Sequence, residues 1–210
     1  MADRLRALWD FTDPDGTEAR LRAQLEREPD DAGRAEVLTQ LARVEGLRGR
    51  FDEAEALVAA AEAQAERSLI VRARVDLERG RILRSSGDPA AAYPLFERAF
   101  QVALDAGQEF VAVDAAHMAA IATEGDGVEA WTQRGIELAE TSTEPGVDYW
   151  LGTLLNNYGW HQVDAGELEQ ALATFRLALE ARERTGTPEQ IEHAREAIAE
   201  TLELLGRPDS

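Results

Sequence analysis

An all-α chain of stacked antiparallel helix pairs, a solenoid of about ten main helices, is the fold that this sequence predicts. Three observations carry the prediction. Ala, Leu, Glu and Arg recur throughout the 210 residues while long runs of Val, Ile, Thr and aromatics are absent, so local propensity points to helix along most of the chain and to no sheet. A glycine is followed five residues later by alanine at Gly49/Ala54, Gly87/Ala92, Gly125/Ala130 and Gly166/Ala171, spaced 38, 38 and 41 residues apart. A fixed period of that length is the signature of a repeat array. Helix start and stop signals fall between these anchors.

The expected order is one domain over 1–210: an N-terminal capping half-repeat at 1–31, four repeats at 32–68, 69–107, 108–145 and 146–186, and a C-terminal capping helix at 187–210. At the start, Asp15-Gly16-Thr17-Glu18 echoes a glycine turn followed by a helix of about three turns ending at Pro29. The polar segment 17–28 and the last helix suit the ends of an array, where nothing stacks on the outer face. Each second helix carries a large apolar residue four after the alanine and another alanine three later, as Ala54/Val58/Ala61, Ala92/Phe96/Ala99 and Ala171/Phe175/Ala178. Seven residues before the glycine stands a small residue, Ala42, Gly80 or Gly159, where a first helix would approach its partner closely. The third repeat departs, with Met118 at the small position and Arg134 and Glu137 on the apolar face. Asp88-Pro89 reads as an N-cap and first-turn proline. Thr187-Pro188-Glu189-Gln190 reads as a capping box opening a helix that runs to about Leu205, with Gly206 as its stop. Gly107 and Gly186 mark joints between repeats.

These positions resemble the tetratricopeptide repeat family over roughly residues 32–185, and the period, longer than the family's usual 34, resembles the long-repeat subgroup typified by kinesin light chain. Asn156-Asn157-Tyr158-Gly159 is similar to that subgroup's Asn-Asn-Leu-Ala segment. The resemblance implies a right-handed superhelix whose first helices line a concave groove. Carried onto this chain, the groove positions are Arg43 and Leu47, then Arg74, Leu77, Arg81 and Arg84, then Ala112, Ala115, Ala119 and Ala122, then Asn156, Asn157 and Trp160.

Composition removes several function classes. The net charge of −19 argues against nucleic acid as a partner, since phosphate binding needs a basic surface. No cysteine is present, which excludes disulfides and thiol catalysis. No stretch reaches the apolar length of a membrane span, and the chain is expected to be cytoplasmic. His117, His161 and His193 lie in three predicted helices without ligand spacing, so no metal and no cofactor is expected. No nucleophile elbow, phosphate loop or dinucleotide fingerprint occurs, and the chain is read as not an enzyme.

Trp131 and Trp150 are assigned to the core, whereas Trp160 suits either core or groove. An asparagine side chain can satisfy both the donor and the acceptor of an extended peptide, which makes Asn156 and Asn157 candidates for holding a ligand backbone. Arginines take carboxylates bidentately, yet Arg74, Arg81 and Arg84 could equally pair with neighbouring acids such as Glu78. Arg43 completes the set of partner-binding candidates. The expected function is a non-catalytic adaptor or regulator that binds a peptide or protein segment in the groove. The alternative is a self-associating, homodimeric or small-ligand-sensing array like those attached to bacterial regulators.

Overall fold

Local chemistry starts the helices. Asp13, Asp30 and Asp88 each accept a hydrogen bond from the backbone N–H three residues on, which satisfies one of the orphan donors of a first turn. Pro14, Pro89 and Pro188 open their helices with a preset φ. At Thr187 the side chain accepts from the Gln190 N–H while the Gln190 side chain accepts from the Thr187 N–H, the reciprocal capping box.

The computed structural model describes residues 3–65 and 67–207, and residues 1, 2, 66 and 208–210 of the expected caps and first repeat lie outside the described residues. Among the described residues there is no strand, and ten α-helices follow a short 3-10 turn at Arg6–Leu8. They are α1 Pro14–Arg27, α2 Asp31–Leu47, α3 Phe51–Gln64, α4 Leu69–Ser85, α5 Pro89–Asp105, α6 Glu109–Ala120, α7 Asp126–Thr141, α8 Tyr149–Asp164, α9 Leu168–Thr185 and α10 Pro188–Leu204. The chain divides into two compact units, Met1–Thr123 and Glu124–Ser210, with the division falling between α6 and α7.

In the N-terminal unit α2 packs on α3 and α4 on α5, with α2 also against α4 and α6 against α5. In the C-terminal unit α8 packs on α9, α9 on α10 and α7 on α8. The turns within the pairs use left-handed glycines, Gly49 at φ 73°, Gly87 at φ 102° and Gly166 at φ 78°. The residue after each donates back to the helix end, Arg50 to Glu45, Asp88 to Leu83 and Glu167 to Gln162, which is a Schellman closure. Gly125 differs. It is the N-cap of α7, five residues beyond the end of α6, so the third repeat breaks the turn as well as the apolar pattern. Gly16 also departs from expectation: it lies inside the first turn of α1 and is not a turn residue.

The small positions set the helix spacing. A Cβ on Gly80 would lie 2.5 Å from the Phe96 ring, and one on Gly159 would lie 2.5 Å from the Phe175 ring. Both rings are fully buried, as are Ala92 and Ala171 beside them. α2 is flanked by α1, α3 and α4, and α4 by α2, α3 and α5. Both are therefore buried on several sides, including polar residues such as Gln40, Arg74, Asp76 and Glu78. The N-terminal core runs through Leu5, Leu21, Leu41, Val58 and Val75. In the C-terminal unit Ala171, Phe175 and Ala197 form a cluster on which Trp160, Val163 and Ile198 pack.

Ala92→Leu, Ala171→Leu, Gly80→Ala and Gly159→Ala each overpack these contacts and are expected to lower stability by about 1–3 kcal/mol; unchanged melting midpoints would contradict the pairing. Deleting the chain from Thr187 strips α10 from Phe175 and Trp160, so the truncated protein should aggregate or melt at lower temperature. A monomer as stable as the full chain would show that α10 is not a cover.

Candidate functional site

Burying a charged side chain demands a partner, and α2, α4 and α6 bury several. Arg81 donates to Glu78 at 2.6 Å and pairs with Asp114 on α6. Asp114 is also 3.5 Å from Arg43 of α2. Glu78 is only 2% exposed. Two guanidiniums and two carboxylates thus close a network across three helices. Burial drives the Glu78 carboxyl above its ordinary range despite Arg81 and Arg43, with Asp114 adding repulsion. Burial would also raise Asp114, but Arg81 and Arg43 outweigh it and hold that carboxyl below its usual value. Half-buried His117, one turn along α6, is lowered to about 4, first by burial and then by Arg81, Arg43 and Arg84 against the pull of Asp114.

The N-terminal segment lies along this same face of α2 and α4. Asp3 accepts from buried Arg74 at 2.7 Å across 71 residues of sequence. Arg4 pairs with Glu28 at 2.5 Å and donates to the Gly33 carbonyl at 3.2 Å. Leu5 enters the core. The Trp9 indole N–H donates to Gln40 Oε1 at 2.9 Å, and Arg43 stands over the Trp9 and Phe11 rings at 5.3 and 5.4 Å. Those two rings stack at 5.0 Å. Beside the segment a cavity of about 190 Å³ remains open, lined by Arg43, Gly46 and Leu47 of α2, Glu78, Arg81, Ile82 and Arg84 of α4, and Met118 and Ile121 at the end of α6. Its size suits one aromatic or branched aliphatic side chain, since an apolar cavity of ~150 Å³ holds benzene.

The sequence candidates therefore fall into different situations. Arg74 is 4% exposed and held by Asp3 and Glu36. Arg81 and Arg43 belong to the buried network, and Arg43 also faces the aromatic pair. Arg84 is exposed and, among the described residues, its Nε donates only to the Ile121 carbonyl at 3.4 Å. Ala112, Ala115 and Ala119, placed on a groove wall by the resemblance, are fully buried, and Leu77 nearly so. The near-total burial of α6 from Phe110 to Ala120 explains this. Ala122 is half-exposed beyond the helix end.

Asn156, Asn157 and Trp160 lie in the C-terminal unit, half-exposed on α8. Trp160 meets Phe175 edge-on at 5.0 Å and packs on the α9 and α10 cluster, so part of its surface is structural. Trp131 and Trp150 are buried as expected. Arg182 is buried beneath the Tyr149 ring and donates to Thr153 at 2.6 Å and Gln190 at 3.3 Å. His161 stacks on Tyr158. No group of His, Cys, Asp and Glu among the described residues is arranged to hold a metal ion, and no described helix is long and apolar enough to cross a membrane. Asp114 and the N-terminal segment escaped the sequence reading. The pair Trp9 and Phe11, outside any repeat, was the only signal for the segment.

A tetratricopeptide repeat family model matches residues 35–60 and 149–176, which span most of α2–α3 and of α8–α9. These are tetratricopeptide repeats. Among solved structures, BtubC (BKLC) from P. vanneervenii is similar over 98% of this chain and 85% of its own, at 14% identity and a TM-score of 0.72. A Podosopora anserina protein described as a kinesin light chain with nearly identical TPR-like repeats is similar over 90% of this chain and 88% of its own, at 19% identity and a TM-score of 0.52. No curated protein matches by sequence. The chain has the all-α tetratricopeptide solenoid fold.

Two outcomes follow for the charged and aromatic residues. Between pH 6.5 and about 4 the unfolded chain binds a proton at His117 that the folded chain refuses, so this residue withdraws stability as pH falls through that window. Glu78, raised in the fold, acts in the opposite sense. Urea unfolding of wild type and His117→Gln at about pH 7.5 and about pH 4.5 isolates the histidine: the wild type should lose more stability than the variant on acidification, and equal losses would refute the assignment. Trp160→Ala should cost roughly 2 kcal/mol, less than the 3–5 typical of a fully buried tryptophan, as read by circular dichroism melts.

Proposed function

We propose that the chain is a non-catalytic protein-interaction adaptor that holds a peptide or protein segment against the first-helix face of its N-terminal unit. The observation that carries this reading is that the face already holds the N-terminal segment, residues 3–11, by means a partner could use: an acid on Arg74, an aromatic ring on Gln40 and Arg43, and an apolar side chain in the core. Next to that segment the open cavity offers an apolar seat at Leu47, Ile82, Met118 and Ile121 with Arg84 at its rim. Leu47 is 58% exposed and Phe11 49%, and exposed apolar groups ringed by charge mark interaction sites when they adjoin a pocket. The partner segment presents an apolar side chain with a carboxylate beside it. Arg81 and Arg43 contribute through the network beneath, while Arg74 serves the chain's own segment. In the C-terminal unit Asn156, Asn157 and the outer edge of Trp160 supply amide and aromatic contacts to a bound backbone.

The test is a comparison of retained proteins on immobilised wild type and on Leu47→Asp/Arg84→Glu, two exposed positions whose change should leave the melt intact. Partners of the wild type should bind the double variant at least tenfold more weakly, as expected when a central anchor and a charge are both inverted. Asn157→Ala tests the C-terminal unit by itself, and should weaken by about 1–3 kcal/mol a partner whose backbone that amide holds. Identical capture by the wild type and the double variant would remove the function from this face.

A further inference from the structure

Resting on the groove reading above, we propose that Glu78 is a built-in competitor for the partner's carboxylate: it occupies Arg81 in the empty groove, and a ligand acid takes its place as Glu78 takes up a proton. The geometry is specific. Glu78 lines the same cavity as Arg43, Arg81 and Arg84, so a carboxylate entering beside the apolar seat meets the guanidinium that Glu78 holds at 2.6 Å.

The charge count around Glu78 explains the coupling. Facing it are Arg81 and Arg74 of its own helix, Arg43 of α2 and Asp114 of α6. His117 and Arg84 complete the surroundings of the network. With Glu78 and Asp114 both ionised, Arg43 and Arg81 are balanced, and a ligand carboxylate that passes Arg84 at the rim and seats on Arg81 would be a third anion on that buried pair, at a large cost. When Glu78 is neutral, one guanidinium lacks its counter-charge and an incoming carboxylate restores the balance. Burial already pushes the Glu78 carboxyl toward its neutral form, and a ligand anion pushes it further. Ligand binding and proton uptake are therefore linked with the same sign, and by linkage each favours the other.

Isovalerate serves as the probe, a branched apolar group bearing one carboxylate, with isovaleramide as its uncharged isostere. Amide shifts of Leu47, Ile82 and Met118 follow the titration. Wild type should bind isovalerate more tightly at about pH 6 than at about pH 8, both above the range where the probe itself loses its charge. Glu78→Gln, which retains a hydrogen-bond partner for Arg81 while Asp114 remains as its anion, should bind isovalerate about 5- to 10-fold more tightly than wild type at the higher pH and show no pH dependence. Isovaleramide should bind both proteins alike at both pH values. His117→Gln should keep the wild-type pH dependence, which separates Glu78 from the neighbouring histidine and tests the idea even if Glu78→Gln folds poorly. Identical isovalerate titrations of wild type and Glu78→Gln, or a pH dependence that disappears with His117, would overturn the competitor role while leaving the cavity as a binding seat. If neither compound moves these amides in any variant, the seat itself is wrong and the inference falls with it.

Discussion

In repeats two and four a phenylalanine ring of the second helix occupies the place where a side chain on the facing first helix would be, Phe96 against Gly80 and Phe175 against Gly159. That contact fixes how closely the helices of a pair approach, and the consequences spread outward. Close pairing leaves room for the next pair to pack in turn, so α2 and α4 are enclosed on several sides. Enclosed helices cannot leave their polar side chains in water. Arg43, Arg74, Arg81, Glu78 and Asp114 must then answer one another, and the ion network is in this sense a product of the packing distance.

The chain carries 41 acids against 22 arginines, yet in the network of α2, α4 and α6 two carboxylates, Glu78 and Asp114, meet two guanidiniums, Arg43 and Arg81. Arg98 likewise grips Asp76 one to one, with two bonds of 2.6 and 2.5 Å, whereas Arg48 is shared between three acids, Asp15, Glu18 and Glu45. The surplus of acid is a property of the solvated surface, where it favours solubility. A cavity with three arginines in its lining is therefore a local exception on an acidic protein, and the attraction it exerts on a carboxylate opposes the field of the whole chain. Salt should weaken that background repulsion more than the contact itself, because buried pairs are screened less.

What could be read from the sequence was local. The turn glycines Gly49, Gly87 and Gly166, the caps at Asp88 and Thr187 and the alanine ladder each depend on residues within a few positions of one another, and the structure places them as expected, whereas Gly16 and Gly125 fall elsewhere. The groove chemistry is not local. Arg81 pairs with Glu78 of its own helix, as spacing allowed, but Asp114 also holds it from 33 residues away and Asp3 holds Arg74 from 71, and spacing within one helix holds no record of those distant partners. The same limit applied to Ala112, Ala115 and Ala119, which family positions put on a wall and which close packing of α6 puts in the core. The N-terminal segment was illegible for a different reason: it follows no repeat, so no second copy of the pattern pointed to its role.

That segment also has a consequence for the order in which the chain acquires its shape. Residues 3–9 are synthesised long before the α4 residue to which Asp3 is tied, and bringing ends so far apart together carries an entropic cost that grows with the intervening length. Helix pairs such as α2 with α3 can close as soon as they exist, because their contacts are near neighbours. Until α4 has emerged and joined them, Asp3 has no Arg74 to accept from, although Trp9 can already meet Gln40 and Arg43 of α2. The Asp3 end of the segment is thus seated after its Trp9 end, the reverse of the order in which the two are made.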